Sequence, residues 1–209
     1  MKKYHKIQTV FKRDPATRNK TLLMGEYSMP EFRYLSENEW VFTEKVDGTN
    51  VRVLYQNGKI TFSGKSDNAQ LHVKLLECLN DLFLPRVKNF EQIFGFANVC
   101  LYGEGYGPKI QSGGKYTDQH DFVLFDVKVG NWWLERNNVE DIAGKLDIED
   151  VPIIGNGTLP DMIECVQAGF NSQWGEFIAE GIVARPAVEL TSRNGSRIIT
   201  KIKYKDFPK

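Results

Sequence analysis

The stretch Glu44-Lys45-Val46-Asp47-Gly48-Thr49-Asn50 lies between two segments that alternate apolar and polar residues. Residues 39–46 are rich in aromatic and β-branched side chains, and residues 50–56 place Val51, Val53 and Tyr55 on one face, so both are expected to be strands. Asn57-Gly58 follows. This is the strongest short hairpin signal, and it makes 59–64 the returning strand. Lys45 therefore stands at the end of an apolar strand, just before a tight Asp-Gly turn. The strand fixes the backbone and the turn brings polar groups to the amine. A lysine attacks only as the neutral amine, so a nucleophilic role requires desolvation, nearby cations or a metal to bring it down from its ordinary pKa of about 10.4. The competing reading is a surface lysine ahead of a turn.

Further along, Leu71, Leu75, Leu79 and Leu82 recur at helical spacing and predict a helix over 68–83, ended by Pro85. Residues 99–104 read as a short strand entering a glycine-rich loop, 103–114. A second hairpin is expected from 121–129 and 132–135, turning at Gly130-Asn131. Asn138 is the expected cap of a helix reaching Leu146, and another helix is expected over 160–168. Two strands, 181–185 and 197–207, come last, and 12–20 reads as a basic loop. Strands interrupted by occasional helices, without regular βα alternation, predict an α+β fold with largely antiparallel sheets and flanking helices.

The 209 residues and 41% hydrophobic content suit a globular domain with a core of its own. The 27 basic and 27 acidic residues cancel, so no global field announces nucleic acid and any such contact has to be local. Cys78, Cys100 and Cys165 are scattered without metal-ligand spacing. Buried free thiols are expected, in a reducing, cytoplasmic setting (host cytoplasm for a phage protein). No apolar run of membrane-spanning length and no signal-peptide core is present in the sequence.

Four more places carry chemistry. Glu104, flanked by Gly103 and Gly105, suits a carboxylate that bonds a ribose hydroxyl where glycines allow close approach; a plain turn is the alternative. Phe125 ends an apolar strand and is suited to stack on a purine, or simply to fill a core. Glu180 precedes an apolar strand and suits a divalent metal or its water shell, or an edge position. Strand alternation puts Lys201, Lys203 and Lys205 on one face, where they meet either phosphates or water on an edge strand.

In this order, the segments resemble the covalent lysine nucleotidyltransferase superfamily of DNA ligases, RNA ligases and capping enzymes, from Glu44 to Lys205. The resemblance implies an adenylation domain over 1–209, with 1–38 as an N-terminal extension packed on it; in a departure from the family's usual pattern, no C-terminal OB-fold or helical domain is expected. It makes Lys45 the residue that forms the phosphoramidate with AMP, with Glu44, Val46, Asp47 and Gly48 shaping the nucleotide pocket. Glu104 becomes the ribose ligand, Phe125 the base-stacking aromatic and Glu180 the metal-site carboxylate. Lys203 and Lys205 become the Lys-X-Lys pair at the α-phosphate, and Lys65 stands where the family often has arginine. Asn50, where DNA ligases and capping enzymes commonly carry arginine, is similar to the phage-type RNA ligase 2 and editing-ligase branch. The implied activity is ATP-dependent sealing of RNA, with ATP as co-substrate and Mg²⁺ or Mn²⁺. The implied partner is RNA bearing 5′-phosphate and 3′-hydroxyl ends, as a nicked duplex or RNA–DNA hybrid, bound by a monomer. A DNA ligase core, an mRNA guanylyltransferase and an inactive end-binding protein are the alternatives.

Overall fold

The computed structural model describes residues 3–66 and 69–207. In chain order the elements are β1 (Gln8–Thr9), β2 (Phe11–Arg13), β3 (Leu22–Tyr27), α1 (Pro30–Tyr34), β4 (Trp40–Glu44), β5 (Thr49–Gln56) and β6 (Lys59–Ser63). Then come α2 (Val73–Phe83), α3 (Val87–Phe94), β7 (Val99–Tyr106), β8 (Asp121–Val129) and β9 (Trp132–Trp133). The last are α4 (Arg136–Leu146), β10 (Ile153–Gly157), α5 (Leu159–Ala168), β11 (Gly181–Pro186) and β12 (Thr200–Lys203). Antiparallel pairing dominates, as the α+β expectation required; the exception among the ladders is β1, which runs parallel to β12.

These elements gather into two compact units, one of residues up to Tyr4 with 46–151 and one of 5–45 with 152–209. The first holds the sheet β6-β5-β7-β8-β9. Asn57 and Gly58 both take positive φ, 50° and 71°, which is the conformation of a type I′ hairpin and is why Asn-Gly turns β5 into β6. Val51, Val53, Leu101, Phe122 and Leu124 from the sheet close a core with Leu75, Leu79 and Phe83 of α2, Phe90 of α3 and Val139 and Leu146 of α4. The second unit holds the sheet β1-β12-β11-β4-β10 and the hairpin β2-β3. Its core joins Trp40, Phe42, Ile182 and Ile202 to Leu159, Met162 and Val166 of α5. The α5 N-terminus is fixed by a reciprocal cap between Thr158 and Asp161.

Several expectations change. The first leucine helix starts at Val73; Leu71 packs on the core from outside it, and the expected start at Asn68 lies outside the described residues. The helix ends at Phe83 ahead of Pro85 as expected, but Pro85 sits in a 3-10 turn, Leu84–Arg86, that leads directly into α3. The cap of α4 is Glu135, since the helix begins at Arg136, ahead of Asn138. Residues 103–106 are strand, not loop. The final strand covers only Thr200–Lys203 and then tightens into a 3-10 turn over Tyr204–Asp206. Of the three free cysteines Cys100 is buried and Cys78 half-buried, whereas Cys165 is exposed on α5. No helix of the described residues is long and apolar enough to cross a membrane.

Candidate active site

In the second unit, β4 alternates so that Trp40, Phe42 and Glu44 face inward. Glu44 is almost wholly buried, and both its oxygens are engaged: Ser172 Oγ donates to Oε1 at 2.5 Å and the Gln173 backbone N–H donates to Oε2 at 2.8 Å. Burial pushes its carboxyl above the usual range, against the pull of these two bonds. Lys45 continues the ladder by one step, its N–H donating to Gly181 O at 2.9 Å. That step brings its amine to Glu180, with Nζ 2.6 Å from Oε2. Lys203 Nζ lies 2.5 Å from the other oxygen of the same carboxylate. Gly181 makes the approach possible: a Cβ there would fall 2.7 Å from Lys203 Cα.

Lys201 is the third ammonium. It pairs in register with Val183, as Lys203 does with Gly181, so β12 carries both lysines on one face and Ile202 on the other. Burial, then the charges of Lys45 and Lys203, bring its pKa down to about 8. Lys205 is not on that face. It lies exposed in the 3-10 turn, because the strand ends where Asp206 accepts the Lys203 N–H at 3.2 Å. The expected row of three lysines is therefore a row of two, and Lys201, not Lys205, completes the cluster with Lys45 and Lys203. Two ammonium groups share one carboxylate and the charge of a third, Lys201, is felt beside them, an excess of positive charge suited to phosphate.

The first unit carries the other named residues. Val46 is buried, so contact with a base would use its backbone. Asp47 ties down the segment after β7: its N–H donates to Tyr116 Oη at 3.1 Å, and its Oδ2 accepts from Ser112 N–H at 3.3 Å. The Gly48 N–H donates to Glu104 Oε1 at 3.2 Å, and Asn50 pairs across the ladder with Glu104. A Cβ on Gly48 would collide with the Gly105 carbonyl and stand 3.0 Å from Glu104 Cγ. Asn50 Oδ1 is buried with no hydrogen-bond partner among the described residues, an acceptor available to a ligand donor. The glycines beside Glu104 meet a packing need: a Cβ on Gly105 would lie 2.6 Å from Leu75 Cδ2, and one on Gly103 would enter the Phe122 ring.

Phe125 is half-buried at a bulge. Tyr102 pairs with Asp126 and Gly103 with Leu124, which leaves Phe125 as the extra residue between them. Its ring meets Tyr4 edge-on at 5.1 Å, and Tyr4 Oη donates to the buried Asp126 at 2.7 Å. Lys65 is exposed in a bend after β6. Sequence reading did not find Tyr4, Tyr116, Ser172 or Gln173, none of which belongs to a short motif. Lys201 was legible as part of the alternating row, but where that row stops depends on Asp206.

Residues 38–204 match the RNA ligase family. The chain belongs to that family. The matched span runs through all of the elements that carry Lys45, Glu104, Phe125, Glu180 and the β12 lysines. The fold is also that of solved RNA ligase structures. A mutant of the Naegleria gruberi RNA ligase with ATP and Mn superposes with a TM-score of 0.70 at 16% identity, over 97% of this chain and 56% of that one. The Naegleria gruberi RNA ligase with PPi gives 0.69 at 17% identity, over 97% and 56%. A mutant with AMP and Mn gives 0.70 at 15% identity, again over 97% and 56%. The chain thus spans a little over half the length of the RNA ligases it matches, and at these identities the likeness is one of fold.

Among the described residues no group of three His, Cys, Asp or Glu side chains is placed to hold a metal. Glu180 alone suits a cation held by one carboxylate, waters and substrate phosphates, which is the usual manner of Mg²⁺.

Proposed function

We propose that this RNA ligase family member is an ATP-dependent RNA ligase that works through a lysine–AMP intermediate on Lys45. One observation carries the reading: the Glu180 carboxylate is shared between Lys45 and Lys203, with Lys201 beside them. This places a candidate nucleophile inside a cationic, partly dehydrated cluster. ATP and the divalent ion of the Naegleria structures are the corresponding ligands here, with Glu180 as the residue that would hold Mg²⁺ or Mn²⁺. Bound there, a cation would supply neutralisation of phosphate charge.

The Lys45 amine attacks the α-phosphorus of ATP; the bond to the bridging oxygen of pyrophosphate breaks, and the lysine loses a proton. A 5′-phosphate oxygen of RNA then attacks the same phosphorus, and the P–N bond breaks. Finally a 3′-hydroxyl attacks the activated 5′-phosphate, and AMP leaves. Each displacement is governed by positioning and charge. Lys201 and Lys203 neutralise the α-phosphate, Glu104 binds a ribose hydroxyl, and Phe125 stacks on the adenine. Asn50, Asp47 and Gly48 set the loop and carboxylate around which the nucleoside is read. In the free protein Glu180 holds the Lys45 amine, so attack requires that this pair be loosened. The thiol content suits a cytoplasmic setting.

Incubation with α-labelled ATP and Mg²⁺ tests the reading. A label that survives SDS, is lost in acid and is absent from Lys45→Ala supports it. Labelling retained in Lys45→Ala rejects Lys45 as the nucleophile.

A further inference from the structure

The charge balance of the chain hides an asymmetry. Its first twenty residues hold seven basic side chains (Lys2, Lys3, Lys6, Lys12, Arg13, Arg18 and Lys20) and one acidic, Asp14. The remaining residues hold 20 basic against 26 acidic. All of the positive excess is therefore N-terminal, in a stretch that precedes the family match beginning at residue 38. Such a split between parts of one chain is the electrostatic mark of contact with a polyanion.

The structure organises this charge. The hairpin β2-β3 closes with the Asp14 N–H donating to Thr21 O at 3.0 Å. Its tip is a 3-10 turn capped by Asp14, which accepts the Ala16 N–H at 2.8 Å. Arg18 and Asn19 both take left-handed φ, 56° and 61°, and the Asn19 carbonyl is held by Arg13 Nη1 at 3.2 Å. A strained tip fixed in this way presents Arg18, Asn19 and Lys20 to solvent. Lys12 is paired with Glu26 and Arg13 with Asp206, whereas Lys6, Arg18 and Lys20 make no ion pair among the described residues. The base of the hairpin is tied to the strand of the active lysines. Thr9 pairs with Lys201, the Val10 N–H donates to Lys201 O at 3.0 Å, and Asp206 holds both Arg13 and the Lys203 N–H.

We propose that the β2-β3 hairpin is a phosphate-backbone contact for RNA, with Arg18 and Lys20 as its leading charges. It holds the strand that runs away from the cluster on β12. Phosphate contacts of this kind set register and affinity without reading bases. The proposal rests on the ligase reading for the identity of the polyanion, and its test is separable from that reading.

The test compares the wild-type chain with Arg18→Gln/Lys20→Gln, which keeps flexible polar side chains at both positions and removes two charges. Binding to a labelled nicked RNA duplex is measured across a salt series, alongside self-labelling with ATP and the melting temperature. The expected result is about tenfold weaker binding for all RNA sequences, with the slope of log affinity against log salt shallower by about two, and with labelling and melting unchanged. Unchanged affinity and slope overturn the hairpin contact. Wild-type protein that never labels with AMP, while its RNA binding shows this slope and the variant loses it, overturns the ligase reading and upholds the hairpin.

Discussion

Lys201 and Lys205 each stand two residues from Lys203, and the strand ends between Lys203 and Lys205. That ending separates their fates. Lys201→Ala is expected to slow AMP labelling at least about a hundredfold, roughly 3 kcal/mol of lost electrostatic stabilisation. Lys205→Ala should remain within about twofold of wild type, as expected for an exposed charge outside the cluster. Single-turnover labelling rates check both. Lys201 also predicts a pH effect. Its burial and its neighbours Lys45 and Lys203 place it at about 8. A group needed as a cation is lost as pH rises through that value, so labelling at limiting ATP should decline above about pH 8. In Lys201→Arg, which stays charged, the decline should move to higher pH. At this scale local pattern is enough to single out Lys45 and Glu180, which adjoin the ends of apolar strands, and Glu104, which stands between two glycines within β7. It misplaced the second β12 lysine because the stop comes from the Asp206 carboxylate on the Lys203 N–H, a contact that no alternation pattern contains.

Elements with long periodic patterns, such as α2, α4 and the β5-β6 hairpin, were readable, whereas β1, β2 and α1 were not. These have two, three and five residues, too few for a period to show, and they owe their form to tertiary packing of Val10, Phe11 and Phe32. α3 escaped because Pro85 looked like a terminator when it opens the next turn. Nor could sequence reveal why β7 carries glycine at 103 and 105. Gly105→Ala is expected to cost about 1–3 kcal/mol in urea unfolding, since its methyl group would press on Leu75. A second prediction concerns His72, the cap residue of α2, and His120, whose rings stack at 5.0 Å. Burial and the neighbouring His72 hold His120 below its ordinary 6.5, with Lys74 lowering it further and the Pro108 carbonyl and Glu77 opposing. Between its folded value and 6.5 the unfolded chain binds more protons, so stability rises with pH through that window and is lost on acidification. His120→Gln should flatten the dependence, as measured by melting temperature from pH 7 downward in steps.

For the whole molecule, mass action predicts that ATP at about a hundred times its dissociation constant stabilises the folded chain by about 2.7 kcal/mol. Lys45→Ala, which should bind ATP without reacting, is expected to keep most of that shift in thermal melting while losing the label. Neither the division into two units nor their membership was visible in the sequence, because one unit is built from segments as far apart as 5–45 and 152–209. The chain leaves that unit after Lys45 and returns at Pro152, whose carbonyl accepts the Glu44 N–H at 3.1 Å. During synthesis the run 46–151 emerges with all its sheet partners, whereas β4 must wait for β10 and β11, and β1 for β12. Lys45 is made early and placed late: its partners Glu180 and Lys203 stand beside β11 and on β12, and until both strands have left the ribosome they are not there to meet it.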